Sequence, residues 1–525
     1  MPRRHRSRKK IEDRKRYEHR SKTLVTVSLW IVLFFLPLSI YKARFPVAHI
    51  SFETMDEAQV ARNLARGGGF TTNFIRPQLY RHFPHFIRPV DMVYPPLPVW
   101  LLAQLPGIRE GGAQKSPDGT VTGFSIFFYF ATALLLFQCG KVMCNARIAF
   151  LSSLFYLFSV TVLRHAVNGS NVSLLAFIVT AYFLLVYLNK NESFVLSLIM
   201  GGFLGLCYLA DYALLIMVVP LVIYILVRGG EAKYRHLLAM IIGLIAVAGP
   251  WMIRNLLCGG NAISGQPLSS LFLSSPLLKG REMENIASRF GLQFSSFCDM
   301  ITHSFGSLVF AFFLVSPLIA YENPDLERTK AIFWTSLLAV LLVSLLGEGR
   351  RVSFLAFSPV VILFGTKTFM EFLDRQVIEK EKLKRRLVSA FVIVNLIPFA
   401  VTVLGRGGDQ RWNSIRSARL NNLVDMRDLM NTNDIVMTNA PEWLSYYGEF
   451  LTVPLPESEK ELRSWQRVCG KLRYAVVCPY GRNGNLKRMV IRGSSPNWFT
   501  SNQVYRYPEG EYFFVFRESG NVGKG

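Results

Sequence analysis

The stretch Phe52-Glu-Thr-Met-Asp-Glu-Ala-Gln-Val-Ala-Arg-Asn-Leu-Ala-Arg-Gly-Gly-Gly-Phe70 decides how the rest of the chain is read. It follows the first long apolar segment, Leu24 to Ile40, and sets an adjacent acid pair, Asp56 and Glu57, at the mouth of a first membrane span. Carboxylates at a bilayer surface are costly unless they are solvated or used. Thr54 and Glu57 have the capping-box spacing, which predicts a helix that starts at Thr54, carries Asp56 in its first turn and ends at the glycines 67–69. Near the positive end of that helix dipole Asp56 is expected to stay ionised, able to take a proton or orient a hydroxyl. Glu57 is either part of that chemistry or a helix cap.

Composition supports a membrane setting. The chain is 51% hydrophobic with a net charge of +24 over 525 residues, a pairing that a soluble protein would not usually show. Apolar runs near the ~20 residues that cross a bilayer recur along most of its length. Spans are expected near 24–41, 124–143, 147–163, 172–188, 194–210, 212–228, 236–250, 306–321, 331–346, 352–369 and 387–404, about eleven transmembrane helices in a polytopic α-helical membrane protein. Residues 1–22 hold eleven Lys or Arg against three acids, and the hairpins Arg228–Arg235, Arg328–Lys330 and Arg375–Arg386 are also basic. The positive-inside rule then places 1–22 in the cytoplasm, and loops 42–123 and 251–305 and the tail 405–525 outside. A basic block flush against a span is a topology signal, so no nucleic-acid partner is read from it. The apolar core at 24–40 is too long for a cleavable signal peptide, and no small-residue cleavage site follows it.

The external segments differ in kind. Residues 71–98 are rich in Pro, Arg, His and aromatics and read as an ordered loop close to the membrane. His49, His82 and His85 fall in the first external loop without a metal-site spacing, and no metal ligand is assigned. Ile286, Phe290, Phe294, Phe297 and Ile301 recur at three- and four-residue intervals, the pattern of an interfacial amphipathic helix. From about 405 the chain changes character. Asp434–Thr438 and Tyr474–Cys478 read as strands, Glu442–Tyr447 and Glu457–Val468 as helices, and Val504–Tyr507 with Glu511–Arg517 as a hairpin. Together they make a small α/β domain of about 120 residues with a core of its own. It shows no phosphate loop, nucleophile elbow or metal spacing, so its role is structure or acceptor docking. Cys258 and Cys298 share one external loop, and Cys469 and Cys478 share the tail. Two disulfides in an oxidising compartment or four free thiols both fit.

A first span, then Asp-Glu-Ala-x-x-Ala-x-Asn-Leu-x-x-Gly-Gly-Gly-Phe, then the Tyr94-Pro-Pro-Leu-Pro98 segment entering the second span, resembles the integral-membrane GT-C glycosyltransferases. The nearest branch is that of the protein O-mannosyltransferases and aminoarabinose transferases (family 39-type). Pro250-Trp-x-x-Arg-Asn255 and Arg350-Arg-Val-Ser-Phe-Leu-Ala-Phe-Ser-Pro359 match further family stretches in order. The resemblance implies a GT-C-like membrane domain over 23–404. It also implies transfer of a sugar from a polyprenyl-phosphate donor to a lipid, protein or cell-envelope glycan acceptor outside the cytoplasm, with inversion. On that reading the chain lies in the plasma membrane, the inner membrane of a bacterium, among membrane lipids. Asp56, with Glu57, would stand by the acceptor nucleophile. Arg164, His165, Arg254, Asn255, Arg350, Arg351 and Tyr94 would bind substrate, the cations neutralising a leaving lipid phosphate. No cofactor is certain, and a divalent cation stays open. The chain departs from relatives at Arg164-His-Ala-Val-Asn-Gly-Ser-Asn171, where many carry an acid, and at Asp211, where many carry a cation. Asn168 or Asn171 could hydrogen-bond a substrate but cannot act as a base. The rivals are a lipid-linked glycan transporter or flippase, which would call for charged span interiors and an internal repeat, and a non-catalytic scaffold displaying the tail.

Overall fold

The computed structural model describes residues 32, 35–45, 50–76, 90, 91, 93–110, 116–189, 193–228, 232–259, 306–346, 352–375, 381–405, 435–455, 474–477, 499–506 and 512–518. A helical stretch at 35–44 leads to α1 (Phe52–Ala65), α2 (Pro96–Ala103) and α3 (Pro106–Arg109). The bundle proper runs through α4 (Asp118–Met143), α5 (Ala146–Leu157), α6 (Val160–Val167), α7 (Val172–Leu188), α8 (Phe194–Ala210), a 3-10 turn at Tyr212–Met217, and α9 (Val218–Arg228). It continues with α10 (Lys233–Gly259), α11 (Ser307–Val315), α12 (Pro324–Leu346), α13 (Val352–Leu355), α14 (Ser358–Arg375) and α15 (Glu381–Leu404). Asp118–Met143, Lys233–Cys258 and Glu381–Leu404 are each long and apolar enough to cross a bilayer, and several shorter apolar helices stand beside them. This is a multi-pass membrane protein.

Three boundaries differ from the sequence expectation, each for a local reason. The segment Tyr94–Pro98 does not enter the second span. Its prolines start the eight-residue α2, Pro106 opens α3, and the long helix begins only at Asp118. The run expected as one span over 147–163 is broken at Phe158–Ser159 and bends by 57°, because Ser159 caps a new helix through the amide of Val162. Helix α10 continues through Pro250 to Gly259, so Trp251, Arg254 and Asn255 stand on a helix and not in a loop. The interfacial helix expected over Glu282–Ser304 lies outside the described residues, as do His49, His82 and His85.

Helices α8 and α10 touch backbone to backbone. A Cβ on Gly201 would stand 1.9 Å from the Met240 carbonyl oxygen, and one on Gly243 2.0 Å from that of Leu198. Small residues let apolar helices approach this closely in lipid. The two ends of the bundle are distinct. At one end Arg44 donates to the Gly405 carbonyl at 2.7 Å, joining the helix at 35–44 to the end of α15. At the opposite end Arg328 donates to the Val186 carbonyl at 2.9 Å, and Arg375 to that of Ala320.

The tail supplies α16 (Pro441–Tyr447) and a five-stranded sheet of β1 (Ile435–Thr438), β2 (Leu451–Pro454), β3 (Tyr474–Val477), β4 (Phe499–Arg506) and β5 (Tyr512–Glu518). The strand order is β2-β1-β3-β5-β4. β1 runs parallel to both neighbours, and the pairs of β5 with β3 and with β4 are antiparallel. Strand β2 is an element the sequence pattern does not announce; Glu457–Val468 lies outside the described residues. The tail's core is shared with the first loop. Trp443, Leu444, Tyr446, Tyr447 and Phe450 pack in one cluster with Met55, Val60, Ala61, Val99 and Leu102. Tyr446 and Tyr447 both donate to Asp118 at the start of α4, at 3.2 Å and at 3.1 and 3.0 Å. Hydrogen bonds to a charged group contribute roughly 1.5–3 kcal/mol each, so the tail is bolted to the membrane bundle at this point.

Candidate active site

The site is built on α1. Ser51 is the N-cap and accepts from the Thr54 amide at 3.2 Å, so the helix begins at Phe52, two residues before the expected start. Either Ser51 or Thr54 satisfies the capping rule; with Ser51 in that place, Glu57 lies in the second turn, too far along to cap. The helix closes at Arg66, and Gly67 follows at φ 80°. Every residue from Thr54 to Asn63 is buried, so this stretch of α1 has no solvent face and most of its polar side chains are met by other segments.

The chain returns along α1 through residues 71–76. Gln59 accepts from the Asn73 amide at 3.0 Å, and Asn63 donates to the Thr71 carbonyl at 3.0 Å. This path brings Arg76 onto Asp56 Oδ2, which also accepts from the Tyr94 hydroxyl at 3.0 Å. The other guanidinium nitrogen of Arg76 stands 3.3 Å from Asp91 Oδ1. Asp91 Oδ2 accepts the amides of Val93 and Tyr94 at 3.2 and 2.9 Å. The Arg76 guanidinium also lies 4.5 Å from the Phe74 ring centre and 5.7 Å from that of Tyr94. Asp56 Oδ1 and Glu57 Oε1 are buried and have no hydrogen-bond partner among the described residues.

Helix α10 approaches from the other side. Arg254 donates to the Asp91 carbonyl at 2.8 Å and to Asn255 Oδ1 at 3.1 Å, with its guanidinium 4.4 Å from the Trp251 ring centre. Asn255 is fully buried and donates to the Tyr208 hydroxyl at 3.3 Å, so it braces Arg254 against α8. Trp251 donates to the Tyr212 hydroxyl at 2.9 Å, and that hydroxyl donates to the Tyr94 carbonyl at 3.1 Å. The turn after α6 closes the site from below. A Cβ on Gly169 would touch Thr54, and the Asn171 side chain hydrogen-bonds Glu57.

Burial governs the electrostatics. It raises the Asp56 carboxyl to about 7, against the pull of Arg76, with Asp91 and Glu442 adding to the rise. The expectation that Asp56 stays simply ionised at a helix dipole is therefore corrected: it is poised near neutrality. Glu57 is pushed to about 8 by burial, then by Glu53, Asp56 and Asp91, and carries its proton at pH 7. Tyr94 is driven well above the ordinary tyrosine range by burial and then by Asp56, so it acts as a donor.

Of the residues named from sequence, the structure brings together Asp56, Glu57, Tyr94, Arg254 and Asn255. Arg164 and His165 stand on α6. Arg164 lies beside Tyr41, and neither makes a hydrogen bond to the Asp56 cluster among the described residues. Arg350 and Arg351 lie outside the described residues. Sequence reading missed Arg76 and Asp91. The signal available was a proline-punctuated loop, rich in arginine, placed directly after a buried acid pair.

Residues 94–253, from Tyr94 to within one residue of Arg254, match the family model described as dolichyl-phosphate-mannose-protein mannosyltransferase. Among solved structures, ArnT from Cupriavidus metallidurans in the apo state superposes with a TM-score of 0.56 at 11% identity, over 95% of this chain and 100% of that one. The fold is GT-C, of the protein mannosyltransferase and ArnT type. The same ArnT bound to undecaprenyl phosphate gives a TM-score of 0.55 at 12% identity, over 94% of this chain and 99% of that one. The Archaeoglobus fulgidus oligosaccharyltransferase tethered to an acceptor peptide gives 0.55 at 13% identity, over 93% of this GT-C chain and 74% of its own. A comparison with curated proteins gave no match.

A divalent cation fits this donor set poorly. Asp56 and Asp91 already share the Arg76 guanidinium, and the Asn171 side chain that meets Glu57 brings no charge to an ion. No group of three or more His, Cys, Asp or Glu among the described residues could hold a metal.

Proposed function

We propose that this protein transfers a sugar from a polyprenyl-phosphate donor to an extracytoplasmic lipid, protein or glycan acceptor by a single inverting displacement. The observation that carries the reading is Asp56 Oδ1, a buried carboxylate oxygen without a protein partner among the described residues, on a group poised near pH 7. A general base works best with its pKa near the working pH. The acceptor nucleophile attacks the anomeric carbon and passes its proton to Asp56. The bond from that carbon to the phosphate oxygen breaks on the opposite face, and the lipid phosphate leaves. Arg254, held by Asn255 and stacked on Trp251, is the cation for that phosphate, joined by Arg350 or Arg351. ArnT with bound undecaprenyl phosphate and the archaeal oligosaccharyltransferase AglB from Archaeoglobus fulgidus with dolichol phosphate and an inhibitory peptide lend support through their shared fold. The tail lies on the Asp56 side of the bundle and is assigned with it to the outside.

Asp56→Asn keeps the shape and removes the base. It should cut transfer by ~10²-fold or more with donor binding intact, measured with a radiolabelled polyprenyl-phosphate sugar in liposomes. Arg254→Ala should instead weaken donor binding, by the ~1.5–3 kcal/mol of one charge-assisted contact. Wild-type turnover by Asp56→Asn would sink the assignment.

A further inference from the structure

Arg76 belongs to no span and no motif, yet it is the cation that touches the proposed base. Its guanidinium bridges Asp56 Oδ2 and Asp91 Oδ1, and the Phe74 and Tyr94 rings lie beside it. What seats it there is the tail. The Ile75 amide donates to the Thr452 carbonyl at 2.7 Å, and the Thr452 amide donates to the Asn73 carbonyl at 2.8 Å. Phe74 thus pairs with Thr452 in an isolated parallel bridge on the outer side of β2, the edge strand of the tail sheet. Thr452 spends both backbone groups on this segment. Gln59 and Asn63 hold the same segment from the α1 side, so its path is fixed on both faces and Arg76, one residue beyond, has little room to move.

We propose that Arg76 is a positioning residue for Asp56, a fixed internal cation that keeps the base able to accept a proton, and that the tail sheet seats it through the main-chain bonds of Thr452 on its edge strand. This rests on the reading of Asp56 as the base. The groups facing Asp56 are Glu57 beside it on α1 (itself faced by Glu53), Asp91 and Tyr94 before α2, Glu442 on α16, and Arg76 on the return segment; Arg254 reaches it only through Asp91. All of these but Arg76, Arg254 and Tyr94 are acids. Removing Arg76 therefore leaves Asp56 buried beside other carboxyls with no cation in contact, and it holds its proton to higher pH. A group that only gripped the donor phosphate would change donor affinity at every pH instead.

The test compares pH profiles of transfer for wild type, Arg76→Gln, Arg76→Lys, Thr452→Pro and Thr452→Val. Arg76→Gln should lose ~10-fold or more of kcat at pH 7 and regain most of it by about pH 9, since each pH unit of displacement is a tenfold change in the ionised fraction. KM for the donor should change little. Arg76→Lys keeps the charge but not the two-pronged reach, and its acid limb should fall between those two. Thr452→Pro removes the amide that holds Asn73. It lies on an edge strand, where proline is tolerated, and it should move the acid limb the same way; it also removes the Thr452 hydroxyl's bond to the Pro441 carbonyl. Thr452→Val loses the same hydroxyl bond but keeps the amide, and should leave the limb in place. The infrared band of a protonated carboxyl, assigned by its loss in Asp56→Asn, gives a readout independent of turnover; in Arg76→Gln it should persist to higher pH than in wild type. An unmoved acid limb and an unmoved band in Arg76→Gln overturn the proposal. So does a pH-independent loss with a raised donor KM. If wild type itself transfers no sugar, the function above fails while the infrared arm still judges Arg76.

Discussion

Glu57→Gln should make the protein more stable, and more so as pH rises. Glu57 is buried, its Oε1 has no hydrogen-bond partner among the described residues, and burial holds its carboxyl at about 8 against an ordinary 4.5. A folded-state pKa raised above the unfolded value gives stability that is fully present below pH ~4.5 and is lost as pH climbs through ~8. Between the ordinary value and pH 7 lie about 2.5 pH units, which at 1.36 kcal/mol each is an upper figure of about 3 kcal/mol. Glutamine matches the protonated carboxyl in shape and has nothing to ionise. We expect the variant to equal wild type near pH 5 and to exceed it by ~1–3 kcal/mol at pH 7. Unfolding in detergent, followed by tryptophan fluorescence from about pH 5 to pH 9, reads this directly. A Glu57→Gln variant less stable than wild type at pH 7, or a difference that does not vary with pH, would mean that Glu57 is ionised in the folded protein.

Two further outcomes are expected. Arg62 is fully buried and donates to the carbonyls of Tyr446 and Ser445 at 2.8 and 3.1 Å, so Arg62→Met should cost ~3–5 kcal/mol by stranding those carbonyls; limited proteolysis should then cut between bundle and tail, and an unchanged digestion pattern would refute the link. For the proposed orientation, a reporter active only outside the cytoplasm should be active when fused at Gly525 and silent at Gln376, and the reverse pattern would turn the whole site to the wrong compartment.

What could be read in the sequence was whatever repeats a local pattern. The apolar runs mark most of the helices, and Trp251, Arg254 and Asn255 come together because one short stretch of helix carries all three. The break at Phe158–Ser159 was hidden because hydrophobicity runs on across it while a single serine hydroxyl ends the helix. The expected cap of α1 differs from the observed one because two hydroxyl residues three apart both satisfy the rule, and only the bond from the Thr54 amide to the Ser51 hydroxyl separates them. Arg76 was out of reach for a different reason. Its place depends on Thr452, at the far end of the chain, and a lone strand-length segment such as Leu451–Pro454 gives no hint of which edge it will offer.

That pairing also sets a schedule. Ribosomes make residues 52–76 long before 435–454, yet the carboxylate in the first loop acquires its full surroundings only when Thr452 arrives to hold Asn73 and Ile75. The expected membrane helices can all be threaded before Thr452 is made. On the proposed roles, a chain that stalls anywhere in the bundle would hold Asp56 without the main-chain bonds from Thr452 that seat Arg76.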